Sequence, residues 1–154
     1  KLVGENLIVG QLLDLKEDVS KVLNIDLPVD NNSELVMVYK TCSLFIFSFV
    51  LGAVYSGRSD LNIDEFREMG LNLGLMFQIM DDFCDIEQDI NNTNFVRING
   101  YEKSLNIYIS KKEELIILLK DNKLYTDEIM QLILKIDSKL KNKINENTSL
   151  SYNI

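Results

Sequence analysis

Apolar residues recur at positions 3, 7, 8, 12, 15, 19, 22 and 23, a spacing that gathers them on one side of a helix. The stretch from Asp26 to Asn32, which holds the chain's single proline, Pro28, reads as a loop, and Ser33 supplies an N-cap for a second helix. From Leu35 to Tyr55 nearly every position is apolar, which predicts a helix covered on all sides. Ser56 to Asp60 breaks it. Asn62 or Asp64 then opens a helix that continues through Met80 to Asp85. After a polar break at Asn91 to Asn94 come two more amphipathic stretches, Gly100 to Lys120 and Thr126 to Asn145. Nothing alternates with strand periodicity, and no repeat is visible. The pattern predicts an all-α domain over residues 1–146 and a frayed polar tail over 147–154.

Charge narrows the function. The chain holds 24 acidic against 16 basic residues, a net charge of −8, so no broad basic surface is available for nucleic acid. There is no histidine. That removes histidine-based triads, the usual zinc sites and the Glu-x-x-His pairs of di-iron bundles. Cys42 and Cys84 lie in helical stretches without a pairing pattern, which predicts reduced thiols and a cytoplasmic location. The apolar run from Cys42 to Tyr55 is too short to cross a bilayer. The sequence opens at Lys1, already inside a helical pattern, which predicts a piece of a longer protein.

The chemistry concentrates in one helix. Over Gly70 to Asp85, a turn of about 100° per residue puts Gly74, Gln78, Asp81 and Asp85 in one stripe with Asp82 beside it. The opposite side is Leu73, Leu75, Met76, Phe77, Ile79, Met80 and Phe83. Carboxylates crowded at a helix C-terminus repel one another and oppose the macrodipole. A solvated acidic helix end is the ordinary explanation. Mg²⁺ is the alternative, because it takes one or two carboxylates and completes its shell with water and phosphate oxygens.

Three segments then fall in a telling order. They are Gly10-Gln11-Leu12-Leu13-Asp14, then Lys40-Thr41 with an apolar run to Leu51-Gly52-Ala53, then Gly74 to Asp85 with its Gln78 and Asp81-Asp82-Phe83-Cys84-Asp85. This set resembles the C-terminal half of the catalytic domain in trans-isoprenyl diphosphate synthases, above all short-chain farnesyl and geranylgeranyl diphosphate synthases. The resemblance implies a helical bundle of the isoprenoid synthase type. It implies a Mg²⁺-dependent prenyl transfer from an allylic diphosphate to isopentenyl diphosphate, in a homodimer or by pairing with an N-terminal half. Carried over, Asp81, Asp82 and Asp85 hold metal. Lys40 contacts the allylic diphosphate, Thr41 and Gln78 face the developing carbocation, and Gln11 and Asp14 border the cavity.

Two departures stand beside the match. The family's first aspartate-rich motif and arginine pair have no counterpart upstream of Gln11. The lysines that come after the second motif are missing too, leaving Arg97 or Lys103 as replacements. Both departures suit a rival reading, a non-catalytic helical subunit or pseudoenzyme that keeps the fold.

Overall fold

The computed structural model describes residues 41–57, 60–87 and 94–150, with side chains through 145. Every regular element among them is helical: α1 Ser43–Tyr55, α2 Ile63–Cys84, α3 Phe95–Asn99, α4 Tyr101–Asp121 and α5 Asp127–Leu150. The all-α expectation is met. The predicted first helix, the Pro28 loop and the Ser33 cap lie outside the described residues. No described helix is long and apolar enough to cross a membrane. The chain divides into two compact units, residues 1–74 and 75–154, with α2 passing through the division.

In the first unit, α1 ends where Ser56 returns its backbone N–H to the Gly52 carbonyl at 3.0 Å and its hydroxyl to the Ala53 carbonyl at 2.7 Å. Gly57 comes next at φ 68°, a left-handed exit that glycine takes without a Cβ penalty. Asn62 then starts α2. Its side-chain oxygen accepts from Asp64 N at 3.1 Å, while its amide nitrogen donates to Glu65 at 3.0 Å. Asp64 and Glu65 in the first turn suit the positive end of the helix.

The two helices approach closely because α2 carries two glycines one turn apart. A Cβ built on Gly70 would collide with Ile46 Cα and lie 2.6 Å from Ile46 N. One built on Gly74 would lie 2.8 Å from Cys42 Cα. Leu44, Phe47, Leu51, Val54 and Tyr55 are exposed, and within α1 only Ser43 and Ala53 are buried. The side that meets Gly70 and Gly74 is the packed one.

In the second unit, Met76, Ile79, Met80 and Phe83 of α2 are buried, as are Phe95 and Val96 of α3. The short α3 was not expected. Asn94 caps it, accepting from Val96 N and Arg97 N at 3.1 Å each. Gly100, at φ 83°, ends α3 and lets α4 begin at once, with its carbonyl accepting from Ser104. Helices α4 and α5 form an antiparallel hairpin around Leu115, Leu119, Ile133, Ile136 and Leu140, all buried. The turn between them closes as a Schellman motif. Leu124 N reaches Leu119 O at 2.7 Å and Lys123 N reaches Lys120 O at 3.0 Å. Across the hairpin, Asp137 accepts from the Tyr108 hydroxyl at 2.6 Å and pairs with Lys112 at 3.0 Å.

Candidate functional site

The acidic cluster closes α2. Apolar burial of Met76, Ile79, Met80 and Phe83 fixes the rotation of the helix, and Phe83 is further held edge-on by the Tyr101 ring, with centroids 4.8 Å apart. The polar side chains between these anchors therefore have set directions, and the three aspartates do not share one environment.

Asp81 is half-exposed. Lys139, from α5, reaches to 3.4 Å of its Oδ1. Asp85 is exposed, and its backbone N–H closes the last turn onto the Asp81 carbonyl at 3.0 Å. Asp82 is different. It is 7% exposed, its Oδ1 accepts from Gln78 Nε2 at 2.8 Å, and its Oδ2 accepts from Phe95 N at 2.7 Å. Its backbone carbonyl accepts from Asn94 Nδ2 at 2.9 Å. The Cys84 thiol, between these residues, is pushed up from its ordinary pKa by burial, with Lys139 and Lys143 pulling against Asp81 and Asp85.

The structure thus brings Gln78 to Asp82, one helical turn apart, and leaves Asp81 and Asp85 on the accessible side. Among the described residues no group of three or more Asp, Glu, Cys or His side chains converges as a metal cage. Asp81 and Asp85, at i and i+4 on one face, nonetheless fit the half-site that Mg²⁺ needs, since that ion takes one or two carboxylates and leaves its other positions to water and phosphate. Thr41 is half-buried and belongs to the first unit. Lys40, Gln11 and Asp14 lie outside the described residues.

The two candidate replacements for the missing lysines are both engaged nearby. Arg97 donates from Nε to the Ile86 carbonyl at 2.9 Å, and Lys103 donates to Asn99 at 2.8 Å. Gly74 has a plain structural cause, the close approach of Cys42. Two contributors escaped sequence reasoning. Asn94 carried a signal, a cap-forming residue directly before Phe95-Val96. Lys139 carried none, standing 58 positions from Asp81.

Residues 2–99 match the polyprenyl synthetase family model. Among curated relatives, the chain is 33% identical over 87 residues to the heterodimeric geranylgeranyl pyrophosphate synthase large subunit 1 of Arabidopsis thaliana chloroplasts. That alignment covers 56% of this chain and 23% of the relative. It is 29% identical over 144 residues to the farnesyl diphosphate synthase of Micrococcus luteus, covering 84% of this chain and 47% of the relative. With the chloroplastic geranylgeranyl pyrophosphate synthase of Capsicum annuum it shares 26% identity over 118 residues, 68% of this chain and 31% of the relative. The chain therefore spans between 23% and 47% of the length of these relatives. No solved structure gives a significant match. With the family model covering well over half of its residues, the chain belongs to the polyprenyl synthetase family.

Proposed function

We propose that this chain forms part of a trans-prenyltransferase that condenses an allylic diphosphate with isopentenyl diphosphate, of the kind that makes farnesyl or geranylgeranyl diphosphate. The observation that carries the reading is the accessible Asp81–Asp85 face at the end of a buried helix, in a chain whose relatives are named as such synthases. Bound Mg²⁺ would neutralise the diphosphate and stabilise it as a leaving group. Asp81 and Asp85 would hold that ion, with Asp82 as the third member of the motif.

The remaining roles rest on this chain's own residues. Lys40 would bind a diphosphate oxygen as a point charge. Thr41 and the Gln78 carbonyl would direct dipoles at the electron-poor carbon, and Gln11 and Asp14 would border the hydrocarbon cavity. An apolar helical wall would keep water from the cation. The working protein would be a cytoplasmic homodimer or a pairing with an N-terminal half.

A second reading, a non-catalytic subunit that keeps the fold, draws on the engagement of Arg97 with Ile86 and of Lys103 with Asn99, which leaves two cations already occupied.

The test is to supply the complete natural protein with dimethylallyl diphosphate, isopentenyl diphosphate and Mg²⁺ and to monitor prenyl product. The expected result is Mg²⁺-dependent condensation, lost in Asp81→Asn. A protein that binds both diphosphates and makes no product favours the non-catalytic subunit.

A further inference from the structure

We infer that Lys139 of α5 is a diphosphate-binding residue of this site, giving up Asp81 for a phosphate oxygen when metal is bound, with Lys143 one turn further along adding charge behind it. The identity of the ligand rests on the prenyl-transfer reading above, which this deepens by naming a cation that meets it.

The place of Lys139 is set by the fold. Ile133, Ile136 and Leu140 are buried, and Asp137, two residues before Lys139, is fastened to Tyr108 at 2.6 Å and to Lys112 at 3.0 Å. These anchors fix the rotation of α5. Lys135, Lys139 and Lys143 follow one another at intervals of four and so share one line of that helix. From this line Lys139 Nζ reaches to 3.4 Å of Asp81 Oδ1. The pair is long and both side chains are half-exposed, so the ammonium is tethered there rather than locked, and folding gains little from it. The charge of Lys143 acts on the Cys84 thiol alongside that of Lys139.

Metal changes what Lys139 can pair with. Once Asp81 gives its lone pairs to a divalent ion, its attraction for the ammonium is largely cancelled, because two cations at that spacing repel. The same ion completes its shell with phosphate oxygens, which brings the anion against the carboxylate that Lys139 already touches. A lysine on its flexible four-carbon stem can turn that short way and bind phosphate as a point charge. Charge balance asks for it as well. Two aspartates offset one Mg²⁺ completely, which leaves the charge of a diphosphate to be met by other cations. Arg97 and Lys103 are held elsewhere, on the Ile86 carbonyl and on Asn99, and it is Lys139 that is paired with an aspartate of the motif.

The experiment titrates inorganic diphosphate into the complete natural protein at saturating Mg²⁺, read by calorimetry. Lys139→Gln should weaken binding by about tenfold through loss of a charge-assisted hydrogen bond, and Lys139→Arg should retain most of the affinity. Lys143→Gln should cost about threefold, as a charge acting from further off. Lys141→Gln, an exposed lysine on the opposite face of α5, is the control and should bind as wild type does. A loss in Lys139→Gln no larger than in Lys141→Gln overturns the inference. A second readout uses an amine-acylating reagent and mass spectrometry. Labelling of Lys139 in wild type should fall when diphosphate and Mg²⁺ are added together and should not fall with Mg²⁺ alone. Labelling that diphosphate leaves undiminished also overturns it. Neither readout needs turnover. A wild type that binds diphosphate through Lys139 and makes no prenyl product overturns the reaction reading alone. A wild type that makes product, with unchanged diphosphate affinity in Lys139→Gln, overturns the role of Lys139 alone.

Discussion

Gly74 and Cys42 touch so closely that a single added carbon has nowhere to go: a Cβ on Gly74 would sit 2.8 Å from Cys42 Cα and 2.9 Å from its sulfur. Alanine in a helix interior is normally better than glycine by about 1 kcal/mol. Here the obstacle is backbone, which cannot rotate aside, and overpacking of this kind costs about 1–3 kcal/mol. Gly74→Ala should therefore destabilise the chain, read as a lower urea midpoint. A raised midpoint would mean that the two helices separate freely.

The same contact predicts an alkaline weakness. Burial pushes the Cys42 thiol from its ordinary 9.0 up to about 12. The folded state thus keeps a proton that the unfolded state loses. Stability from this group is fully present below pH 9 and declines as pH rises toward 12, by about 1.4 kcal/mol per unit. Tyr108, raised by burial and by its bond to Asp137, adds to the decline above pH 10. Denaturant titrations at pH 8 and pH 10 should show the loss, and Cys42→Ala should reduce it. An equal loss in that variant would assign the effect elsewhere.

Lys139 should act on metal rather than on folding. Its pair with Asp81 is long and both side chains are half-exposed, so Lys139→Gln should change stability by less than about 0.5 kcal/mol. A cation this close competes with any ion that Asp81 holds. The variant should bind Mn²⁺ severalfold more tightly at low salt, with the gain shrinking as salt screens the pair. Weaker binding would make Lys139 a helper of the anion instead.

At the α4–α5 turn, Lys123 occupies the left-handed position of the Schellman motif at φ 57°, where a Cβ is unfavourable. Lys123→Gly should stabilise the hairpin by about 0.5–1 kcal/mol. Thermal unfolding reads it directly, and a lower Tm would show that the lysine side chain holds the turn by other contacts.

The long helices were legible because their apolar positions repeat and their ends carry ordinary signals: Asn62 before α2, Gly57 after α1 and Gly100 before α4. The five residues of α3 were too few for a period to show, and the asparagine run preceding them reads as a break. The apolar composition of α1 marked it as helical but could not say which faces a neighbour covers. In the acidic motif, spacing placed Asp81, Asp82 and Asp85 within two turns, yet their different surroundings depend on distant partners. Asp82 meets donors twelve and thirteen positions later, at Asn94 and Phe95, and Asp81 meets Lys139. No local pattern encodes those meetings.

The two ties that join the end of α2 to α3, Asn94 onto Asp82 and Arg97 onto Ile86, have a consequence for the chain between them. They fasten the chain on either side of residues 88–93, from Asp82 and Ile86 before the span to Asn94 and Arg97 after it. Lengthening such a connection costs only about 0.6 kcal/mol for each doubling. A change in the length of that span therefore costs little chain entropy, while the two ties continue to join the acidic turn to α3.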